Sequence, residues 1–275
     1  MRLLKAFLVM AAVALCASSA WAESTYDKVM KEKVLRAGIM TNSIPGAFYN
    51  EKQEWVGFDV DIAEEIAKRL GVKLERVVVS DKTRISFVQQ GRIDMSVANM
   101  THKRERDKSI DFSITYFFDG QKLLVRKDSG ITDWKDVVGK KIASTQGTTS
   151  EVNARNMLKK LGDANAEKNV ISFPDYASAF QALQNGRVVG FSTDSTILLG
   201  YAAQAPGQFV LVGDFISDEP YGIGLPENDS KWRDAINFAL QDMWADGAYK
   251  KIYDKWYGPD TPYHFPLTAK IEMWP

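Results

Sequence analysis

The stretch "ANMTHKRERDKSIDFS" (98–113) carries seven charged side chains in the nine positions from Lys103 to Asp111. A charge run ordinarily marks a solvated face, so the question is whether one of these charges is set apart. The apolar "DMSVA" before it reads as a strand ending near Asn99, and Thr101 suits the N-cap of a helix beginning at His102. The first turn of such a helix offers unpaired backbone N–H groups to an anion. Arg104 falls in that turn, where a guanidinium can hold a carboxylate through two parallel hydrogen bonds. A basic residue there opposes the helix dipole, which favours a functional reason for its presence. Arg106, two residues on, turns about 200° around the same helix and is expected to face solvent with Lys103, Asp107 and Lys108.

Two further loops have the same character. In "ASTQGTTSEV" (143–152) a strand runs into Gly147, Thr148 and Thr149 ahead of a helix. Ordinary capping by Thr149 or Ser150 explains that pattern as well as ligand binding does. The GK[ST] ending of a phosphate-binding loop is absent. In "GFSTDSTILLG" (190–200) Asp194 closes an apolar strand, where it either caps the next helix or faces a cation. Arg104, Thr149 and Asp194 together would supply an anion grip and a cation grip. That pair suits a zwitterion, whose charges tolerate burial only when each is paired and hydrogen-bonded.

Such loops lie at the carboxyl ends of strands in α/β sheets, where ligands bind. Residues 34–39 read as a strand, and "GFDVDIAEEIAKRLG" places Ile62, Ala63, Ile66, Ala67 and Leu70 at helical spacing with Gly71 as the stop. "VKLERVVV" follows as a strand, so the order strand, helix, strand predicts a parallel sheet. "SFVQQGRIDMSVAN" and "AFQALQNGRVVGFSTD" repeat one layout roughly ninety residues apart, which points to two lobes. "FSITYFFDGQKLLVRKDS" and "DEPYGIGLPEN" are extended, glycine-bearing segments able to carry the chain between those lobes as hinge strands. Two helices broken at Asp246–Gly247 follow, with Trp232, Ile236, Leu240, Tyr249, Tyr253 and Trp256 expected to pack. No element is assigned beyond Pro259.

The composition is globular, 45% hydrophobic and 25% charged, with lysine plus arginine equal to aspartate plus glutamate. Nothing in that balance suggests a nucleic-acid surface. Residues 1–22 read as a cleaved signal peptide: Arg2 and Lys5, an apolar run, then Ala20–Trp21–Ala22. Its removal takes two basic residues and no acidic one, moving the formal charge from zero to −2. The single cysteine, Cys16, lies inside it; the large Leu15 disfavours a lipid-anchored alternative, and no disulfide is expected afterwards. Two widely separated histidines, His102 and His264, argue against a zinc-type metal site.

At "WVGFDVDIAEEIAKRLG", "GRIDMSVANMTHKRERDKSIDFSITY", "GKKIASTQGTTSEV", "QNGRVVGFSTDSTILL" and "DGAYKKIYDKWYG" the chain resembles the family 3 periplasmic solute-binding proteins of polar amino-acid ABC transporters. The resemblance covers about residues 26–259. It implies an α/β, two-lobed periplasmic-binding-protein fold of type II, each lobe a mostly parallel sheet flanked by helices and joined by two hinge strands. Lobe 1 would hold 23–119 and 221–275, and lobe 2 would hold 120–220. The implied function is capture of an L-amino acid in the periplasm and delivery to the membrane permease of an ABC importer, by a monomer without cofactor or catalytic residues. Thr101 and Arg104 match the α-carboxylate clamp, Thr148 and Thr149 a further carboxylate contact, and Asp194 the ammonium partner. Asn99 and the backbone of Ala98 fall where the amino-end contacts are completed.

"GTTSEV", "STDSTILLG" and "EPYGIGL" are most similar to the glutamate/aspartate-binding branch. An arginine expected before the first helix is absent from "IMTNSIPG", and Tyr176 stands where a histidine is expected. An acidic or amide amino acid is therefore the implied ligand, with Asn42, Ser43, Phe48 and Tyr176 as candidate side-chain contacts. The alternative is a cyclohexadienyl-dehydratase-like enzyme on the same fold, for which Asp175 is the acid on offer.

Overall fold

The computed structural model describes residues 23–275, so the leader assigned to 1–22, with Cys16, lies outside the described residues. The chain opens with α1 (Thr25–Glu32) and β1 (Val34–Ile39), followed by a small antiparallel sheet of β2 (Asn42–Ser43), β3 (Ala47–Tyr49) and β4 (Trp55–Val56). Next comes α2 (Phe58–Leu70), which buries Phe58, Val60, Ile62, Ala63, Ile66 and Ala67, as its apolar spacing predicts. It stops at Gly71, whose φ of 66° is a left-handed conformation that glycine adopts without a Cβ penalty.

β5 (Lys73–Val78), α3 (Arg84–Gln89), β6 (Met95–Ser96) and β7 (Asp111–Phe112) complete most of the first sheet. Its order is β5-β1-β6-β14-β7, the returning β14 being Gly224–Leu225. β1 runs parallel to β5 and β6, whereas β14 is antiparallel to both of its neighbours. The second sheet contains β8 (Phe117–Arg126), β9 (Ile142–Thr145), β10 (Val170–Phe173), β11 (Gly190–Asp194) and β12 (Phe209–Val212), ordered β10-β9-β11-β8-β12. Here β9 is parallel to β10 and β11, while β8 is antiparallel to β11 and β12. Both sheets are thus mixed. The βαβ units make the parallel halves, and strands that travel between lobes add the antiparallel ones.

Around the second sheet pack α4 (Thr149–Lys160), α5 (Ala166–Asn169), α6 (Tyr176–Gln184) and α7 (Ser195–Ala202). α8 (Ser230–Ala245) and α9 (Ala248–Tyr257) return to the first lobe and break at Gly247, as expected. Among the described residues no helix is long and apolar enough to cross a membrane. The segment after Pro259 is now assigned: it folds back, with the Phe265 N–H donating to Tyr257 O and Ile271 buried. Phe265 stacks on Phe117, the first residue of β8, at 6.0 Å between ring centroids.

β8 is the pivotal strand. Its first half, Phe117–Gly120, pairs with β13 (Asp218–Tyr221), and its second half, from Gln121, pairs with β11 of the second sheet. Two adjacent strands thus cross between the lobes. The lobes are closed on each other: the Tyr201 hydroxyl of α7 donates to Asn42 O at 2.8 Å. One residue earlier on α7, a Cβ built on Gly200 would stand 2.1 Å from Ile44 O. Full closure therefore requires glycine at this position. Alanine favours a helix over glycine by about 1 kcal/mol, so Gly200→Ala should leave the melting temperature of the second lobe unchanged or raised. The same variant should wedge the lobes apart, read as a larger radius of gyration by small-angle X-ray scattering under conditions that close the wild type. Equal radii would show that Gly200 does not limit closure.

Candidate functional site

The first lobe's contribution centres on the loop after β6. Asn99 adopts a left-handed φ of 46°, a conformation that needs support in a non-glycine residue. Its N–H donates to Asp59 at 3.1 Å, and its side-chain oxygen accepts from Ser43 Oγ at 2.7 Å. Asp59 also accepts from the Tyr116 hydroxyl at 2.8 Å. Burial pushes the Asp59 carboxyl up to about 7, against the pull of those two donors. The loop is thus braced from beneath, and its carbonyls are turned outward to a buried arginine.

That arginine is Arg84, at the start of α3. One Nη donates to the carbonyls of Ala98 and Asn99, and the other pairs with Asp81 at 2.9 Å. Asp81 accepts in turn from the Tyr176 hydroxyl of the opposite lobe at 3.1 Å. Arg84 Nε is buried and has no hydrogen-bond partner among the described residues. A buried donor left unmatched is costly, and it stays available to an acceptor.

The placements expected of the two arginines in the opening stretch, one turned inward and one to solvent, are reversed. No helix begins at His102; residues 104–109 form tight turns, with Arg106 N and Asp107 N both bonded to Lys103 O. The helical rotation that separated Arg104 from Arg106 does not apply to such turns. Arg104 is exposed, whereas Arg106 is only 7% exposed and lies between the lobes. Arg106 donates to Thr101 O at 2.9 Å and reaches Gly147 O of the second lobe at 3.5 Å. Among the described residues no carboxylate lies within ion-pair distance of it. Burial, then the charge of Arg84, push its guanidinium down to about 10, with Asp81, Asp194 and Glu219 acting in the other direction. It stays charged at neutral pH and is short of an anion.

The second lobe supplies the opposite polarity. Asp194, the last residue of β11, accepts from the Tyr221 hydroxyl at 2.6 Å and from Gln121 Nε2 at 3.1 Å. Burial, then the nearby charges of Glu219 and Asp119, hold its carboxyl well above the usual carboxylate range. Asp119 is itself satisfied by Ser195, Thr196 and the Gly120 N–H. Among the described residues none of Asp194, Asp119 and Glu219 has a basic side chain within ion-pair distance, and Asp194, with only Tyr221 and Gln121 donating to it, is the least satisfied of the three. Thr149 sits beside it, accepting from Gln121 Nε2 at 2.9 Å and donating to Glu219 at 2.8 Å. Thr101 Oγ1 approaches Thr149 Oγ1 at 3.5 Å and also donates to Glu219.

Several expected contacts are redirected. Phe48 packs edge-on against Trp256 at 5.9 Å, on the side of the lobe held by α9, because β3 directs its ring there. Ser43 is fully buried under Asn99, whereas Asn42 stands at the junction of the lobes, its backbone carbonyl accepting from Tyr201 and its side chain left uncommitted by that bond. Thr148 caps α4: it accepts from Glu151 N at 3.3 Å and donates to Thr145 O at 2.6 Å. The carbonyl of Ala98 is occupied by Arg84. Thr101, Thr149, Asp194 and Tyr176 do converge on the cleft. Arg84, Asp81, Arg106, Gln121, Glu219 and Tyr221 join them without having been singled out. For Arg84 a signal existed, since a charged residue opening the apolar run "ISFV" cannot reach solvent easily.

Chemically the cleft holds an under-compensated guanidinium and an under-compensated carboxylate, with hydroxyls between them. It can bind a molecule carrying both charges. Residues 35–259 match the family of bacterial extracellular solute-binding proteins, family 3. The chain is 32% identical to the L-glutamate/L-aspartate-binding protein of Pseudomonas aeruginosa, over 90% of this chain and 86% of that one. It is 40% identical to an ABC transporter glutamine-binding protein of Bacillus subtilis, over 74% of this chain and 73% of that one. A crystal structure of an ancestral amino-acid-binding protein, a precursor of cyclohexadienyl dehydratase, superposes with a TM-score of 0.77 at 36% identity, covering 85% of this chain and 99% of that one.

The two arginines give a direct comparison. Removing one partner of a buried charge pair costs about 3–5 kcal/mol, so Arg106→Ala should weaken binding of a carboxylate-bearing ligand by at least about a hundredfold. Arg104→Ala should stay within about twofold of the wild type, as surface changes do. Calorimetric titration of both variants checks this, and equal losses would contradict the placement of Arg106.

Proposed function

Because the chain belongs to the bacterial extracellular solute-binding proteins, family 3, we propose that it captures an α-amino acid between its lobes in the periplasm and delivers it to the membrane permease of an ABC importer. The observation that carries this reading is the pair of buried groups of opposite polarity, Arg106 and Asp194, in one closed cleft, neither with an ion-pair partner among the described residues; a bound ammonium would draw the Asp194 carboxyl to its charged form. The α-carboxylate goes to Arg106, and the α-ammonium to Asp194 with the Thr101 and Thr149 oxygens. Ligand then bridges the lobes and stabilises the closed form, which the permease recognises. The dehydratase reading is disfavoured, because Asp175 accepts from Ser178 N at 2.7 Å as the N-cap of α6 and is engaged there.

The side-chain end is bounded by Arg84, Asp81 and Tyr176. Within the acidic-or-amide class, this trio favours the amide. Asp81 already neutralises Arg84, so a second carboxylate would enter without a free positive charge and would face Asp81. An amide oxygen instead meets the unmatched Arg84 Nε–H, and its NH2 group meets Asp81. The relatives that bear on this are the glutamine-binding and the glutamate/aspartate-binding proteins named above.

A thermal-shift screen of the mature protein against the twenty amino acids, with prephenate and arogenate, tests the reading. A ligand at a hundred times its Kd should add about 2.7 kcal/mol of stability. Glutamine should stabilise more than glutamate, and Asp81→Asn should reverse that order. Stabilisation by no amino acid would overturn the transport reading, and turnover of prephenate would favour the enzyme.

A further inference from the structure

Glu219 is 1% exposed and lies on β13, one of the two strands that cross between the lobes, directly opposite Asp119 of β8. Among the described residues no basic side chain is within ion-pair distance of it. A buried carboxylate in that position must be held by neutral donors, and four converge on it. Ser217 Oγ donates at 2.6 Å from its own strand's approach, and Asn153 Nδ2 at 3.2 Å from α4. The other two are the hydroxyls of Thr101, from the first lobe, and Thr149, from the second. This set is complete only when the lobes are together. Opening at the hinge strands must strip Glu219 of at least one threonine.

The direction of those two bonds has a second effect. A threonine hydroxyl has one proton and two lone pairs. With its proton committed to Glu219, each hydroxyl presents only lone pairs to the cleft. It can then accept from an ammonium but cannot donate to a carboxylate. We propose that Glu219 is a positioning residue that latches the closed cleft and, by taking the Thr101 and Thr149 protons, sets the polarity of its amino end. It touches no ligand itself. This inference rests on the amino-acid-binding reading above.

The test uses Glu219→Met and the amino acid that binds the wild type most tightly in the screen. The second ligand is that molecule's analogue with a hydroxyl in place of the α-ammonium. Both threonines donate to Glu219 Oε2, and Ser217 and Asn153 to Oε1. Methionine fills the space with no oxygen at either place, so the threonine protons are released to turn into the cleft against the ammonium. Affinity for the amino acid should fall about ten- to a hundredfold, the scale of one mismatched buried hydrogen-bonding group. Affinity for the hydroxy analogue should fall much less, so the preference for amine over hydroxyl narrows. Scattering of the ligand-free variant should also show a more open average form. If both ligands weaken equally, or neither does, the proposal is overturned, while amino-acid binding by the wild type still upholds the transport reading. If Glu219→Met does not fold, Thr149→Val must show the same narrowing and Thr149→Ser must not. An unchanged preference in Thr149→Val would overturn the proposal.

Discussion

The structure depends on leaving two opposite charges buried and unmatched by the protein. Arg106 and Asp194 are both sequestered between the lobes, and among the described residues neither has an ion-pair partner of its own. Each such group carries a desolvation cost of several kcal/mol after relaxation. A fold stable enough to tolerate this must recover the cost elsewhere, and here it can do so in two ways. The lobes can part and let water solvate the charges, or a zwitterion can pair with both at once. The unmet charges therefore disfavour an empty closed state and favour a filled one. That difference between states is what lets a ligand drive closure, since a ligand can shift an equilibrium only by its differential affinity.

The architecture delivers those charges to one place through a single strand. β8 begins in contact with the first lobe's aromatic packing, through Phe117 against Phe58, Tyr221 and Phe265, and ends inside the second sheet. Gln121 stands at the hand-off between its two pairings. Its amide nitrogen reaches Thr149, Ser150 and Asp194, so the residue that begins the second sheet also organises that lobe's half of the site. The folded-back tail packs Phe265 onto the same strand. Rotation about β8 and β13 thus moves two braced half-sites rather than loose loops.

Much of this was legible in the sequence where local periodicity governs. The spacing in residues 58–71, the repeated helix–Gly–Arg–strand layout and the break at Gly247 all became elements at the expected positions. Asp194 was legible because a carboxylate ending an apolar strand has few roles. The failures share one cause: side-chain direction was inferred from an assumed helix. Turns at 104–109 do not carry helical phase, so Arg104 and Arg106 exchanged places. Phe48 was misplaced for a related reason, since the segment around it forms a three-stranded sheet whose pleat, invisible in a loop-like sequence, turns the ring towards Trp256. Arg84, Asp81 and Glu219 were missed because their significance is tertiary. Each is defined by partners between 14 and 118 residues away or by one that comes from the other lobe.

The same residue type plays opposite parts at the two ends of the cleft, and charge compensation decides which. Arg84 is paired by Asp81, so what it offers is geometry: one unmatched N–H and a fixed plane. Arg106 has carbonyls for company and no acid, so what it offers is charge. In the proposed binding mode the carboxylate, an invariant feature of every α-amino acid, is met by the charged end. In that mode the variable side chain is met by the compensated end, where a single exchange of donor for acceptor would change which functional group fits. Glu219 repeats that logic at the amino end, since it alters the cleft through the orientation of two hydroxyl protons and not through its own reach. A scaffold built this way can keep capture and closure constant while its ligand changes by one side chain at Asp81.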